Sequence, residues 1–246
     1  MDLNKDAYGQ EVWAYYNKKD SFEIIQRGDN TFWISSGPVS YFKDYKDWPE
    51  NLKEAMKFVT GSVFDIGCGA GRVCLYLQKK GHKVLGIDNS PLAIKTSKMR
   101  GVKNTILMGI EGIGKLKEKF GAVTMVGNNF GLFGSYNKAK KLLKIMHTIT
   151  TPDAVIIAES NDPYKTKDPL NVEYQKNNVK QGRMAGQLKL KVIYTKYIGD
   201  WFDYLIVSKN EMKDILKGTG WKVKKFLDSP KNGSSYIAII EKENKK

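Results

Sequence analysis

Apolar residues along this chain fall into short runs separated by segments with helical spacing. Between two of the runs, for example, Ala139, Leu142, Leu143 and Met146 recur on one face of a helix. The runs that we assign to strands lie at residues 63–66, 84–88, 104–109, 122–127 and 153–160. Short apolar strands that alternate with amphipathic helices predict an α/β fold, with a doubly wound, mostly parallel sheet covered by helices on both faces.

The C-terminal part returns to strands after one more helix. Ser208 and Glu211 have the spacing of a capping box, which predicts a helix start at this point. Two apolar runs follow at residues 221–227 and 235–242. Because only a short turn separates them, we expect two antiparallel neighbours that close the sheet.

Two segments depart from this alternation. At the N-terminus, apolar spacing predicts a helix over residues 5–18, and residues 28–48 are typical of loop or short strand. Within residues 161–207, the patterns of 187–194 and 201–208 predict an inserted antiparallel hairpin. We therefore expect an N-terminal helical or lid segment at 1–60. A main domain at 61–246 follows, with a substrate-side insertion at 161–207.

Composition narrows the class of protein. The chain has 246 residues, 41% of them hydrophobic, which suits one large folded domain. The net charge of +15 comes mostly from scattered lysines, with four arginines, so nucleic-acid binding is possible but not favoured. No apolar stretch is long enough for a membrane span, and the N-terminus lacks the pattern of a secretory signal. We expect a cytoplasmic protein without a metal site.

The sequence VFDIGCGAGRVCLYL at residues 63–77 contains the candidate chemistry. A predicted strand leads into Gly67, Gly69 and Gly71, and a predicted helix follows at once. Glycines lack a Cβ atom, so a ligand can lie against this backbone, and free N–H groups at the helix start attract anionic groups. This pattern predicts a site for a nucleotide-like ligand.

Three details favour one kind of ligand. The G-x-G-x-G spacing differs from the G-x-G-x-x-G of a dinucleotide pyrophosphate loop. Asp65 lies just before the loop, where it would repel a pyrophosphate and could accept hydrogen bonds from an ammonium group. Asp88 closes the second strand, at the sheet edge where a carboxylate can accept from two ribose hydroxyls.

With these features the chain resembles the class I S-adenosylmethionine-dependent methyltransferases. The resemblance rests on VFDIGCGAGR, on VLGIDNSPLAI at 84–94 and on AVTMVGNNFGLFG at 122–134. It implies the strand order 3-2-1-4-5-7-6 with an antiparallel last strand. It also implies S-adenosylmethionine as the cofactor and methyl transfer by in-line displacement.

The resemblance also implies site residues. The methionyl end of the cofactor would lie at the glycine loop, the ribose at Asp88, and the adenine between Asn89 and the segment 109–111. Asn128, after the fourth strand, would face the methionyl group. The implied cofactor-binding residues are Asp65, Gly67, Cys68, Gly69, Gly71, Asp88, Asn89, Ile110, Glu111 and Asn128.

The methyl acceptor does not follow from the sequence. We expect a small molecule, because no separate recognition domain remains once the core is counted. Candidate catalytic residues are Asn128, Tyr16 and Tyr174, since neither histidine lies near the expected site. The alternatives are an RNA or protein methyltransferase, a nicotinamide-dependent oxidoreductase, and a nucleotide-binding protein without methyl transfer.

Overall fold

The computed structural model describes residues 2–35, 37–231 and 233–243. Seven strands form one sheet in the order β11-β12-β7-β6-β3-β4-β5. Their bounds are β3 Val63–Ile66, β4 Val84–Asp88, β5 Thr105–Leu107, β6 Phe120–Met125, β7 Thr150–Asn161, β11 Trp221–Asp228 and β12 Ser235–Lys242. Within this sheet the strands β3, β4, β5, β6, β7, β11 and β12 are the first to the seventh along the chain, so the order read from β5 is 3-2-1-4-5-7-6. This is the predicted order, and the predicted α/β fold is confirmed.

Burial and pairing explain this arrangement. Every residue of β3 and of β6 is buried, as expected for central strands of a parallel sheet. β4 pairs with β5 in parallel, and β6 pairs with β7 in parallel. β12 is antiparallel to both β7 and β11, which confirms the predicted antiparallel ending.

Helices connect these strands and follow local signals in the sequence. Ser90 caps α5 through its side chain, and Pro91 occupies the first helical position. Ser208 and Glu211 form the predicted capping box at α8. The helix bounds are α1 Ala7–Tyr16, α2 Gly37–Tyr41, α3 Glu50–Ala55, α4 Arg72–Lys79, α5 Pro91–Met99, α6 Tyr136–Thr148, α7 Pro169–Lys180 and α8 Lys209–Leu216.

A second sheet contains the predicted hairpin and two further strands. Its order is β10-β8-β1-β2, with β9 on β8. The bounds are β1 Glu23–Arg27, β2 Phe32–Ser35, β8 Gln187–Tyr194, β9 Tyr197–Ile198 and β10 Phe202–Leu205. The N-terminal segment therefore contributes strands as well as helices, and β1, which alternates buried and half-buried residues, was not predicted. A tight turn lies between Tyr194 and Tyr197, where β8 pairs with the short strand β9.

The chain divides into two compact units. The first comprises Met1–Trp48, Phe64–Ile110 and Lys189–Phe202. Val12, Phe64 and Leu77 are among its fully buried side chains. The second comprises Pro49–Val63, Glu111–Leu188 and Asp203–Lys246, and its buried side chains include Phe130, Trp221 and Tyr236.

Candidate functional site

The glycine loop of the first unit requires its glycines. After β3, Gly67, Gly69 and Gly71 have φ values of 70°, 52° and 82°, in the left-handed region that side chains rarely adopt. The N–H groups of Gly67 and Cys68 both donate to the carbonyl oxygen of Ile87 in β4, at 2.9 Å. The turn is thereby fixed to the neighbouring strand, and α4 begins directly after it.

Asp88 holds this loop from the end of β4. Its Oδ2 accepts from the Gly69 N–H at 2.9 Å, and its Oδ1 accepts from the Ser90 N–H at 2.9 Å. Burial, and to a smaller extent the charges of Asp6 and Asp65, raise the pKa of the Asp88 carboxyl to about 6. The carboxylate is therefore ionised at neutral pH, and each oxygen keeps acceptor capacity for one more donor.

The two cysteines, Cys68 in the loop and Cys74 on α4, lie together against Gly86 of β4. The Cys74 thiol donates to Asp65 Oδ2 at 3.1 Å, and both cysteines are free and buried. Their hydrogen bond and burial hold the pKa of the Cys74 thiol well above its ordinary value. A Cβ atom on Gly86 would lie 2.9 Å from both sulfur atoms. Cys68 thus fills a tight space as a neutral thiol, which does not suit a nucleophile.

The N-terminal helix, expected as part of a lid segment, contacts the loop through Tyr8, a residue that the sequence did not single out. The Tyr8 hydroxyl lies 2.5 Å from the position that a Cβ atom on Gly69 would take. Burial, then the charge of Asp88, holds the pKa of the Tyr8 phenol well above its ordinary value. Tyr8 therefore remains a neutral phenol that closes one side of the glycine loop.

Asp6 fixes the start of this helix to the segment after β4. As the N-cap of α1 it accepts from the Gly9 N–H at 3.0 Å. Its other oxygen accepts from the Ser90 hydroxyl at 2.9 Å and from the Leu92 N–H at 3.1 Å. Ser90 lies 84 residues away along the chain, so nothing beside Asp6 in the sequence indicates this partner.

Asn128 lies in the second unit, in the loop after β6. Its φ of 64° places it in the left-handed region, where it caps a short 3₁₀ helix at Asn129–Phe133. Its carbonyl oxygen accepts from the Tyr204 hydroxyl at 2.6 Å, and the Tyr204 ring lies over Gly131. The side-chain oxygen Oδ1 is buried without a hydrogen-bond partner in the described parts of the chain.

The remaining predicted residues have varied surroundings. In the first unit, Ile110 is buried at the end of the segment after β5, and Asn89 is exposed between Asp88 and Ser90. In the second, Glu111 forms an ion pair with Lys138 of α6. Tyr16 ends α1, and Tyr174 lies half-buried on α7.

The structure thus brings one set of predicted residues together in the first unit. Asp65, Cys68, Gly69 and Asp88 are joined by the contacts above. Among the described residues, no three or more His, Cys, Asp or Glu side chains lie together in an arrangement that could hold a metal ion. In the same residues, every helix is too short or too polar to cross a bilayer.

Comparisons with known proteins identify the central segment. Residues 63–153 match the model of a family described as a methyltransferase domain. The 2-heptyl-1-hydroxyquinolin-4(1H)-one methyltransferase of Mycobacteroides abscessus is 37% identical over 84 residues, which are 33% of this chain and 36% of that enzyme. The matched segment is thus only about a third of the length of the curated relative.

Solved structures share the fold over a longer stretch. A methyltransferase from Bacteroides fragilis, in complex with S-adenosyl-L-homocysteine, superposes with a TM-score of 0.84 at 22% identity, covering 99% of this chain and 98% of that one. A second, from Methanosarcina mazei, gives a TM-score of 0.58 at 16% identity and covers 76% and 95%. At these identities the likeness establishes the fold.

Proposed function

We propose that this chain, whose residues 63–153 match the model of a methyltransferase domain, transfers a methyl group from S-adenosylmethionine to a small molecule. The observation that carries the proposal is the glycine loop held by Asp88, whose two oxygens accept the Gly69 and Ser90 N–H groups. The curated relative is named for a quinolinone acceptor, which supports a small acceptor here.

The residues present fit this cofactor. At Gly69 and Gly71 the space of a Cβ atom is taken by Tyr8 and Val102, so the methionyl end is proposed to meet the backbone of the loop at 67–71 beside these contacts. Asp88 is ionised at neutral pH and retains acceptor capacity for the ribose hydroxyls. The unpartnered Oδ1 of Asn128 suits an N–H donor such as the methionyl ammonium. Asn89, Ile110 and Glu111 are proposed to border the adenine.

The cofactor would supply a methyl group on a sulfonium, so the protein's part is to align the acceptor and exclude water. We assign this covering role to Tyr8 of α1, which already closes one side of the glycine loop. Asp6 maintains the position of α1 through its bonds to Ser90 and Leu92. Tyr16, Tyr174 and Asn128 remain candidates for contact with the acceptor.

Calorimetric titration of the purified protein with S-adenosylmethionine and, in parallel, NAD tests the proposal. Asp88→Asn keeps the shape of the side chain but removes its charge and one acceptor. The matched control is Asp153→Asn, which alters an exposed aspartate of β7. We expect saturable binding of S-adenosylmethionine that weakens at least about tenfold in Asp88→Asn alone. Tighter binding of NAD, or equal affinity in both variants, would overturn the assignment.

A further inference from the structure

The second sheet ends in an open, uncharged edge strand. β2 lies at the end of the strand order β10-β8-β1-β2, and β1 is its one partner among the described strands. Phe32, Trp33 and Ile34 follow one another in β2 and are 54%, 38% and 74% exposed. An exposed apolar edge of this kind is a template on which another strand can pair.

The register of β1 and β2 determines which backbone groups face outward. The Arg27 N–H donates to the Thr31 carbonyl oxygen at 2.8 Å, and bonded pairs alternate with unbonded pairs from there along the ladder. By this alternation Trp33 bonds toward β1, whereas the N–H and C=O groups of Phe32 and Ile34 point away from it. No other described residue bonds to these four groups, so they are left for a strand outside this sheet.

The other sheet edges have features that oppose the addition of a strand. β11 carries Lys222, Lys224 and Lys225. β10 carries Asp203, and β5 has only three residues. Charge and short length are common protections of an edge, whereas β2, which is described in full, contains no charged residue, proline or bulge. β2 is therefore the edge at which pairing is least opposed.

One face of the sheet beside this edge carries a row of isoleucines. The strand registers align Ile34, Ile24, Ile193 and Ile198, on β2, β1, β8 and β9 in turn. Cross-strand neighbours share a face, so this row crosses the sheet and ends at the open edge. A strand with an apolar residue opposite Ile34 would continue the row.

We propose that the chain forms a two-fold dimer in which β2 pairs antiparallel with β2 of a second copy. A two-fold axis at Trp33 places Phe32 of each copy opposite Ile34 of the other, and both pairs then exchange N–H···O=C bonds. Because β2 carries no charge, this register brings no like charges together within the strand pair, despite the net charge of +15. The inference does not depend on the proposed function.

The exposed area indicates how strong this contact is. Given their exposed fractions, Phe32, Trp33 and Ile34 present roughly 300 Å² of side-chain surface in each copy. Two copies bury about twice that area together with strand backbone, which is the size of a weak, reversible interface. We therefore expect a dissociation constant in the micromolar range.

Sedimentation velocity of the full chain, at concentrations from about 1 to about 300 μM, tests for this equilibrium. Ile34→Lys places a charge on the edge and is expected to raise the dissociation constant of the dimer at least about tenfold. Leu107→Lys is the matched control, because it places the same charge at an exposed residue of the edge strand β5, and it should leave the constant unchanged. A monomer at every concentration, or equal weakening in both variants, would overturn the proposal.

Cysteine cross-linking tests the register, and it remains informative if Ile34→Lys fails to fold. In the proposed register, the Cα atoms of residue 33 in the two copies are about 4.5 Å apart, within the span of a disulfide. Those of residue 34 are diagonal neighbours about 7–8 Å apart, beyond that span. The native Cys68 and Cys74 are both buried.

With glutathione disulfide as the oxidant, we expect Trp33→Cys to give a covalent dimer on a non-reducing gel, and Ile34→Cys to give at least about tenfold less. Linkage that is equal in the two variants or stronger in Ile34→Cys would refute the two-fold register at Trp33. Absence of linkage in both variants, at concentrations where the wild-type chain sediments as a dimer, would show that the copies meet elsewhere.

Discussion

Asp6 accepts a hydrogen bond from the Ser90 hydroxyl at 2.9 Å, which joins the first residue before α1 to the N-cap of α5. One carboxylate thereby serves two helix starts, since it also accepts from the Gly9 and Leu92 N–H groups. Lys95 of α5 lies 4.1 Å from the centre of the Trp13 ring of α1, so the same two helices meet again further along. The N-terminal helix is fixed to the segment that carries Asp88.

Replacing Asp6 should therefore cost more than the loss of an ordinary cap. We expect Asp6→Ala to lower the free energy of unfolding by about 2–3 kcal/mol, because buried donors at Ser90 and Leu92 lose their acceptor. Asp168→Ala, which removes the exposed N-cap of α7, should cost about 1 kcal/mol. Urea denaturation of both variants measures the difference, and equal costs would contradict the double role of Asp6.

The contact between Tyr8 and Gly69 can be isolated with alanine. Gly69→Ala places a Cβ atom 2.5 Å from the Tyr8 hydroxyl and also strains a φ of 52°. Gly81→Ala is the matched control, because its φ is 90° and the added atom meets no described atom within 4 Å. We expect Gly81→Ala to lower the free energy of unfolding by about 1–2 kcal/mol, and Gly69→Ala to lower it by at least about 1 kcal/mol more.

Tyr8→Phe completes this comparison. It removes the hydroxyl, and the ring carbon that carried it lies 3.8 Å from the added Cβ atom. When Tyr8→Phe is combined with Gly69→Ala, we expect the loss in free energy of unfolding caused by the alanine to be smaller by about 1 kcal/mol. Combined with Gly81→Ala, Tyr8→Phe should leave the loss caused by that alanine unchanged. Thermal unfolding of the single and double variants gives the coupling, and zero coupling would mean that Tyr8 does not lie over the loop.

The pH dependence of stability should report Asp88. Its folded pKa of about 6 lies above the value of about 3.9 in an unfolded chain, so the folded state holds the proton more tightly. Stability from this group is therefore greatest below about pH 4, and about 3 kcal/mol is lost as the pH rises to about 6 and above. In Asp88→Asn this part of the slope should vanish, whereas Asp153→Asn should retain it.

Affinity for the cofactor should change in the opposite direction with pH. Ribose hydroxyls need the ionised carboxylate as acceptor, so binding of S-adenosylmethionine should weaken as the pH falls through about 6. Calorimetry at pH values from about 5 to about 8, a range that includes this pKa, measures the change in affinity. A flat profile in the wild-type protein would place the ribose away from Asp88.

Tyr204 should stabilise the loop that carries Asn128. Its hydroxyl donates to the Asn128 carbonyl oxygen at 2.6 Å, where the backbone is held in a left-handed conformation. Tyr204→Phe is expected to cost about 1 kcal/mol of stability and to weaken cofactor binding. Tyr136→Phe, which removes an exposed hydrogen bond to Asp214, should leave that binding unchanged. The same loss of binding in both variants would count against the proposed role of the loop.

Much of the fold could be predicted because its signals are local. The apolar runs, the G-x-G-x-G loop and the Ser90-Pro91 helix start each depend on neighbouring residues, and they predict the alternating strands and helices. The strand order itself was implied by the resemblance to a known family, and the structure has that order. Asp88 was predicted as a candidate for the same local reason, because it lies at the end of a strand. Its hydrogen bonds to Gly69 and Ser90 follow from that position.

A lid segment at the N-terminus was expected, but its individual contacts could not be predicted, because they join distant parts of the chain. Nothing near Tyr8 indicates that it lies over Gly69, and nothing near Glu11 indicates that it faces Glu23 on a strand. The strand β1 was also missed, since its polar ends Glu23 and Arg27 hide a short apolar centre. Burial of such polar residues depends on tertiary packing, which periodicity does not report.

The pairing of β1 with β8 has a consequence for how the protein is made. In this register Arg27 lies opposite Leu190. During synthesis β1 therefore leaves the ribosome long before β8, the strand with which it pairs. Contacts between distant segments form slowly because a long loop must close first. Until β8 arrives, the β1–β2 hairpin keeps an unpaired edge, and such edges favour association between nascent chains. The glycine loop and β4 are synthesised long before β8, so they precede the complete second sheet that follows α1 in the N-terminal segment.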